Sequence, residues 1–155
     1  LQDSLNPASE STFEIERFGA RYRIGDKVIQ TRNNYDKEIL NGDIGKVVGI
    51  STDPGKIEIQ FSGDRMASYE PGELDEISPA FAITVHKSQG SEFPCVVIPV
   101  STQHFLLLQR NLLYTAITRG SKVVVVVGQK KAAAMAVKNN DTRERYRGLL
   151  DRLSN

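Results

Sequence analysis

The sequence holds one cysteine, no tryptophan and no long apolar run. A single thiol excludes an internal disulfide framework and any zinc site built from several cysteines. No stretch approaches the roughly 20 apolar residues that a bilayer span requires, and no basic-then-apolar leader opens the chain. A cytoplasmic protein without a membrane partner is therefore expected. Net charge is scarce as well: 20 Lys and Arg stand against 19 Asp and Glu in 155 residues, a formal +1. Contact with nucleic acid must then come from local patches, because the chain is no polycation. Hydrophobic residues at 39% and charged residues at 25% are ordinary for a folded domain and exclude a disordered or fibrous chain. The length suits one ordinary domain or two very small ones. The first residue is Leu1 rather than Met, as expected for a piece of something larger.

Charge is unevenly spread. Between Ser62 and Ala80, five acidic residues (Asp64, Glu70, Glu73, Asp75, Glu76) face Arg65 alone. From Gln129 to Asn155, seven Lys and Arg face three Asp and Glu, a basic tail that reads as solvated helix surface. Residues 1–20 have polar spacing and Pro7, the pattern of an irregular lead-in. From Arg21 the texture is β: Lys27–Thr31, Gly45–Ile50, Lys56–Phe61 and Arg65–Tyr69, with Leu74–Ile77 as a candidate last strand. Ile57, Ile59 and Phe61 alternate with Glu58 and Gln60, the period of a half-buried strand. Asn41-Gly42-Asp43, Asp53-Pro54-Gly55 and Ser62-Gly63-Asp64 supply turns between these runs. Short strands at this spacing predict a small antiparallel sheet or barrel.

After Pro79 the pattern changes. Phe81–Val85, Cys95–Val100 and the five valines Val123–Val127 are uninterrupted apolar runs, which suit strands buried on both faces of a parallel sheet. Between them, Leu106–Thr118 has helical apolar spacing, and Lys131–Lys138 is rich in alanine. The expected architecture is α/β, with a parallel-sheet part following a small antiparallel part.

Three stretches carry candidate chemistry. In Ala82–Phe93, Thr84, His86, Lys87, Ser88 and Gln89 offer donors beyond a strand end, and Gly90 allows close backbone approach to a ligand. A helix cap with a solvated loop fits the same residues equally well. In Arg110–Gly120, Asn111, Thr115 and Arg119 fall at successive i,i+4 positions and form a polar stripe. An arginine there also fits as the dipole partner of a helix C-terminus. In Gly25–Gly45, amides and charges are dense, and Tyr35 is an aromatic able to stack on a base.

In this order the three stretches resemble the C-terminal motor half of RecD-like, superfamily 1 DNA helicases, a group that includes the exonuclease V alpha subunit and the helicase parts of conjugative relaxases. GDKVIQTRNNYDKEILNGDIG is similar to motif IV with its extension, AITVHKSQGSEF to motif V and LLYTAITRG to motif VI. The resemblance runs from about Arg21 to Gly128. It implies a partial RecA-like parallel-sheet domain (2A, residues 79–155) with an inserted Src-homology-3-like antiparallel β-barrel (2B, within residues 21–78).

The resemblance also implies roles. Arg119 would be the catalytic arginine finger on the ATP γ-phosphate, with Gly90 beside the phosphates and Glu92 near the ribose. Thr84 and His86 would meet the single-stranded DNA backbone, and Lys87 and Ser88, donors suited to phosphate, are expected with them on one exposed DNA-binding surface. Gln30, Asn33 and Asn34 of motif IV would line the DNA side or the cleft, Tyr35 is a DNA-binding candidate through its ability to stack, and no residue is implied as a metal ligand. ATP and Mg2+ would be cofactors of the full-length protein, with none bound to this piece alone. Partners would be single-stranded DNA, the N-terminal RecA-like domain of the same chain, and other recombination or conjugation subunits. No G-x-x-x-x-G-K-[ST] phosphate loop occurs in the sequence. The fragment is therefore expected to be inactive alone. A nucleic-acid-binding adaptor without a motor, or a protein-docking module, are the alternative readings.

Overall fold

Ile57, Ile59 and Phe61 are buried and Glu58 and Gln60 are exposed, so the alternation in the sequence is realised as β5 (Lys56–Phe61). The computed structural model describes residues 1–9, 13–51 and 55–140. Most of the Asp53-Pro54-Gly55 turn and the tail beyond residue 140 lie outside these described residues. The chain divides into two units, the first spanning Leu1–Lys87 and the second starting at Ser88.

In the first unit, β3 (Lys27–Gln30), β4 (Ile44–Ser51), β5, β6 (Met66–Tyr69) and β7 (Ile77–Pro79) form one antiparallel sheet in the order β6-β5-β4-β3-β7. Its apolar side gathers Tyr22, Val28, Ile39, Val47, Ile57, Ile59, Phe61, Ala67, Tyr69, Leu74 and Ile77 into a continuous core. The expected strand over Leu74–Ile77 begins only at Ile77. Leu74–Glu76 forms a 3-10 turn that buries Leu74.

The described residues among 1–20 are not an irregular lead-in. They form α1 (Gln2–Leu5) and β1 (Glu14–Arg17), which pairs with β2 (Ala20–Arg23) as a hairpin. The cause is a pair of buried charges further along the chain. Arg23, 3% exposed, donates to Glu14 and to Asp3. Asp26, also buried, accepts from the Arg23 N–H and from the side chains of Gln2 and Asn6, both at 2.6 Å. The polar residues that read as loop are thus the partners that buried charges require.

In the second unit, β8 (Phe93–Val100) and β9 (Gly120–Gly128) pair in parallel, with Val96 opposite Val124 and Ile98 opposite Val126. A 3-10 segment (Thr102–Leu107) and α2 (Arg110–Ile117) connect them, and α3 (Lys130–Lys138) follows. The expected strand Phe81–Val85 is absent: residues 81–90 form bends and turns. The expected helix over Leu106–Thr118 is shorter, because buried Leu108 takes a non-helical conformation (φ −78°, ψ 71°) before α2 starts. The valine run is a strand as expected, but it is not buried on both faces. Val123 and Val127 are 50% and 52% exposed, and Val125 and Val126 are exposed as well. Among the described residues β9 has one strand neighbour, so its β-branched side chains gain pairing without burial.

Two outcomes follow for the first unit. A Cβ at Gly45, which faces Phe61 across the sheet, would lie 2.5 Å from Ile59 Cγ2 and 3.0 Å from the Gln60 carbonyl oxygen. Gly45→Ala should lower the unfolding free energy by about 1–3 kcal/mol in urea titrations, and an unchanged midpoint would contradict this packing. Lys37 Nζ sits 2.7 Å from Glu73 and 4.3 Å from the centre of the Tyr69 ring. A hydrogen bond from Lys37, and then one from the Glu70 N–H, hold the Glu73 carboxyl below its usual 4.5. The stability this gives is present above the ordinary glutamate value and lost as pH falls through the lowered one. Glu73→Gln should therefore reduce the drop in urea midpoint between neutral pH and about pH 3.

Candidate functional site

The loop from Thr31 to Asp43, between β3 and β4, is built on a two-residue antiparallel bridge. The N–H of Asn34 donates to the Ile39 carbonyl at 2.8 Å, and the Ile39 N–H returns to Asn34 at 3.0 Å. Ile39 is fully buried and anchors the loop to the core. Asn34 Oδ1 accepts from the Lys37 N–H, a local turn bond of the kind asparagine favours. Tyr35 at the tip is 76% exposed, and its hydroxyl accepts from Asn33 Nδ2 at 3.2 Å. Asn33 Oδ1 in turn accepts from the Asn41 N–H.

Gln30 is placed differently from its neighbours in motif IV. It is fully buried, and both ends of its amide are used. Its oxygen accepts from the Tyr69 hydroxyl at 2.8 Å, and its NH2 donates to Glu76 at 3.1 Å. Asn34 donates to the same carboxylate oxygen at 3.0 Å. Burial, then the nearby charges of Glu76, Glu73 and Asp43, push the Tyr69 phenol well above its ordinary value, so it stays a neutral donor. Gln30 has no surface from which to touch a ligand. Glu76 is the residue that the sequence reading missed, since an acid within an acidic run gives no signal that it receives two amides.

Thr84, His86 and Lys87 are exposed on the turn-rich segment that ends the first unit, and the Lys87 N–H donates to Thr84 Oγ1 at 3.3 Å. The strand expected to end beneath them does not form. Ser88, expected on the same exposed surface, is buried in the second unit. Gln89, Gly90 and Glu92 are exposed. Gly90 has φ +83°, and a Cβ there would meet nothing within 4 Å. The backbone conformation, rather than crowding, demands glycine at this point.

Arg119 follows the end of α2 and is half-buried. Its Nε donates to the Thr115 carbonyl at 3.3 Å, Nη1 to the Ser91 carbonyl at 3.1 Å and Nη2 to Thr118 Oγ1 at 3.3 Å. These acceptors are neutral, and among the described residues no carboxylate forms an ion pair with it. The Ser91 contact brings the guanidinium next to Gly90 and Glu92 along the chain. The expected polar stripe is present in part: Thr115 Oγ1 donates to the Asn111 carbonyl, and Arg119 reaches back to Thr115. Ser91 takes part through its backbone, which a residue type cannot advertise. No three His, Cys, Asp or Glu side chains converge among the described residues. No helix among them is long and apolar enough to cross a membrane.

Residues 1–61 match the model of the ATP-dependent RecD-like DNA helicase SH3 domain, and residues 79–127 that of the UvrD-like helicase C-terminal domain. The ATP-dependent RecD2 DNA helicase of Deinococcus radiodurans is 32% identical over 97% of this chain and 21% of its own length. The RecBCD enzyme subunit RecD of Mycolicibacterium smegmatis is 33% identical over 77% of this chain and, again, 21% of its own length. Among solved structures, a Pif1 helicase from Bacteroides in complex with ADP-AlF3 and ssDNA has a similar fold. It gives a TM-score of 0.56 at 20% identity, over 76% of this chain and 34% of that one. The chain thus spans about a fifth of the length of these curated relatives. Two helicase domain models in sequence order, and relatives named RecD over most of the chain, lead to one assignment: the chain belongs to the RecD-like DNA helicases.

Proposed function

We propose that this chain is the C-terminal part of an ATP-dependent DNA helicase that couples ATP hydrolysis to movement along single-stranded DNA and to duplex unwinding. The antiparallel sheet of the first unit, within residues 21–78, is the Src-homology-3-like barrel 2B. Residues 79–155 belong to the RecA-like domain 2A, whose remaining strands cover the exposed valines of β9. The observation that carries the reading is the state of Arg119. Its guanidinium is oriented by three neutral oxygens, so its charge is aimed but uncompensated. A planar cation held in that way suits the spread charge of a phosphoryl group in transfer.

In this reading the nucleotide lies against Gly90 and Glu92, where the bare backbone of Gly90 leaves room for phosphate and Glu92 faces the ribose. The phosphate loop belongs to an N-terminal RecA-like domain of the same protein, and residues 1–155 alone do not hydrolyse ATP. Magnesium, which neutralises phosphate charge when bound with ATP, would be held by that domain; among the described residues no cluster of possible ligands forms. Thr84, His86 and Lys87 contact the backbone of the single strand, and Asn33 and Tyr35 lie on the DNA side. Gln30 and Asn34 support the loop that carries Asn33 and Tyr35. Closure and opening of the two RecA-like domains on each ATP would move the strand. Other recombination or conjugation subunits are natural partners of such a motor.

In the full-length protein, Arg119→Ala should lower DNA-stimulated ATP hydrolysis by roughly a thousandfold or more, with single-strand affinity and thermal stability nearly unchanged. Arg119→Lys should rescue poorly, because an ammonium lacks the planar fork. Near-normal hydrolysis by the alanine variant would mean that Arg119 only caps α2. Lys87→Ala should weaken single-strand binding equally for all sequences and flatten the salt dependence by about one unit. Unchanged affinity and slope would make Lys87 a solvated side chain.

A further inference from the structure

The Thr31–Asp43 loop contains more restraint than a connection between two strands needs, and its tip presents an exposed ring held by Asn33. Glu76, from the 3-10 turn before β7, receives Gln30 Nε2 and Asn34 Nδ2 on one carboxylate oxygen, at 3.1 and 3.0 Å. Its carbonyl accepts from the Thr31 N–H at 2.7 Å and from Thr31 Oγ1 at 2.9 Å. Both ends of the rise toward the tip are thereby tied to one residue. The Arg65 guanidinium holds the other side, donating to the Glu38 carbonyl at 2.8 Å. At the tip, Asn33 tethers the Tyr35 hydroxyl while the ring stays open to solvent. Water alone would satisfy an exposed phenol, so the tether adds no needed hydrogen bond. Its effect is to fix the plane of the ring.

The charges around this loop are as informative as its hydrogen bonds. Arg32 pairs with Asp75 at 2.9 Å, Lys37 with Glu73 at 2.7 Å and Arg65 with Asp43 at 3.1 Å. Each of these cations already has a carboxylate partner. Asp36 and Glu38 add further acids at the tip. A surface of this kind repels a phosphate more than it attracts one. What it offers is an aromatic face whose orientation is settled before any ligand arrives, which lowers the entropy lost on binding.

We propose that Glu76 is the positioning residue for Tyr35, and that through it the loop takes an unpaired nucleobase by stacking while leaving the phosphates to residues elsewhere. The proposal rests on the helicase reading for its ligand. It reassigns Gln30 and Asn34 from DNA contact to support of the stacking ring. It also separates two kinds of binding energy within one chain. Stacking through Tyr35 is insensitive to salt, whereas contact through Lys87 follows counterion release.

The test uses the full-length protein and a fluorescein-labelled oligo(dT), with affinity read by anisotropy over a series of salt concentrations. Tyr35→Ala should weaken binding on the order of tenfold, with the slope of log affinity against log salt unchanged. Asn33→Ala and Tyr35→Phe each remove the tether but keep the ring, and should fall between wild type and Tyr35→Ala. Glu76→Gln keeps an acceptor oxygen and spares the core, and should also weaken binding at unchanged slope. In the Tyr35→Ala background, Glu76→Gln should have no further effect on affinity. That coupling distinguishes positioning from general destabilisation, which would weaken both backgrounds alike and lower the melting temperature in step. Additive losses, a changed salt slope for Tyr35→Ala, or wild-type affinity in that variant would each overturn the proposal. If the unsubstituted protein fails to bind oligo(dT), the helicase reading fails and this inference falls with it. If it binds and only Lys87→Ala is weakened, this inference alone fails.

Discussion

A buried amide holds the first unit to its purpose. Gln30 lies at the end of β3 with no exposure, and an unpaired amide there would lose the hydrogen bonds it makes to water when unfolded. Both its ends are paired, with the Tyr69 hydroxyl on β6 and the Glu76 carboxylate before β7. Tyr69 and Glu76 are far from Gln30 in sequence, so the bonds form only when the sheet order β6-β5-β4-β3-β7 is complete. A half-satisfied network of this kind would be worse than an apolar core, and that penalty favours one arrangement. The loop that rises from β3 inherits its direction from this point.

The two units solve the burial problem unequally. The first encloses large side chains, Tyr22, Tyr69, Phe61 and several isoleucines, on the apolar side of an antiparallel sheet. The second buries Ile98, Val100, Leu108 and a few alanines, while most of the valine run of β9 stays exposed. Exposed β-branched side chains on a parallel strand are a poor solution in water, since such strands normally have both faces covered. The relatives are about five times longer than the matched region, and in the proposed reading the remaining strands of domain 2A would supply that cover.

What was legible in the sequence followed local rules. β5 could be read to the residue because its alternation is a property of six consecutive positions. Turn residues at Asn41–Asp43 and Ser62–Asp64 marked real breaks, and motif order gave the family. What failed depended on distance. The hairpin β1–β2 exists because Arg23 and Asp26 collect partners from residues 2 to 14, and nothing local in those polar residues announces it. Phe81–Val85 has strand composition but forms turns, since a short apolar run does not choose its own conformation. Gln30 and Asn34 look like ligand-binding amides in a motif, and only the folded position of Glu76 reveals that they bind each other's support. Arg119 was legible as a residue of interest, but its Ser91 and Thr115 partners are carbonyls that every residue type carries.

The central claim is that this chain is part of a motor driven by ATP on a single strand. Steady-state ATP hydrolysis by the unsubstituted full-length protein, with and without oligo(dT), tests it most directly. The account predicts a low basal rate that rises strongly when the oligonucleotide is added, together with ATP-dependent separation of a duplex bearing a single-stranded tail. Tight binding of the oligonucleotide with no hydrolysis in either condition would contradict it and identify the protein as an adaptor without a motor.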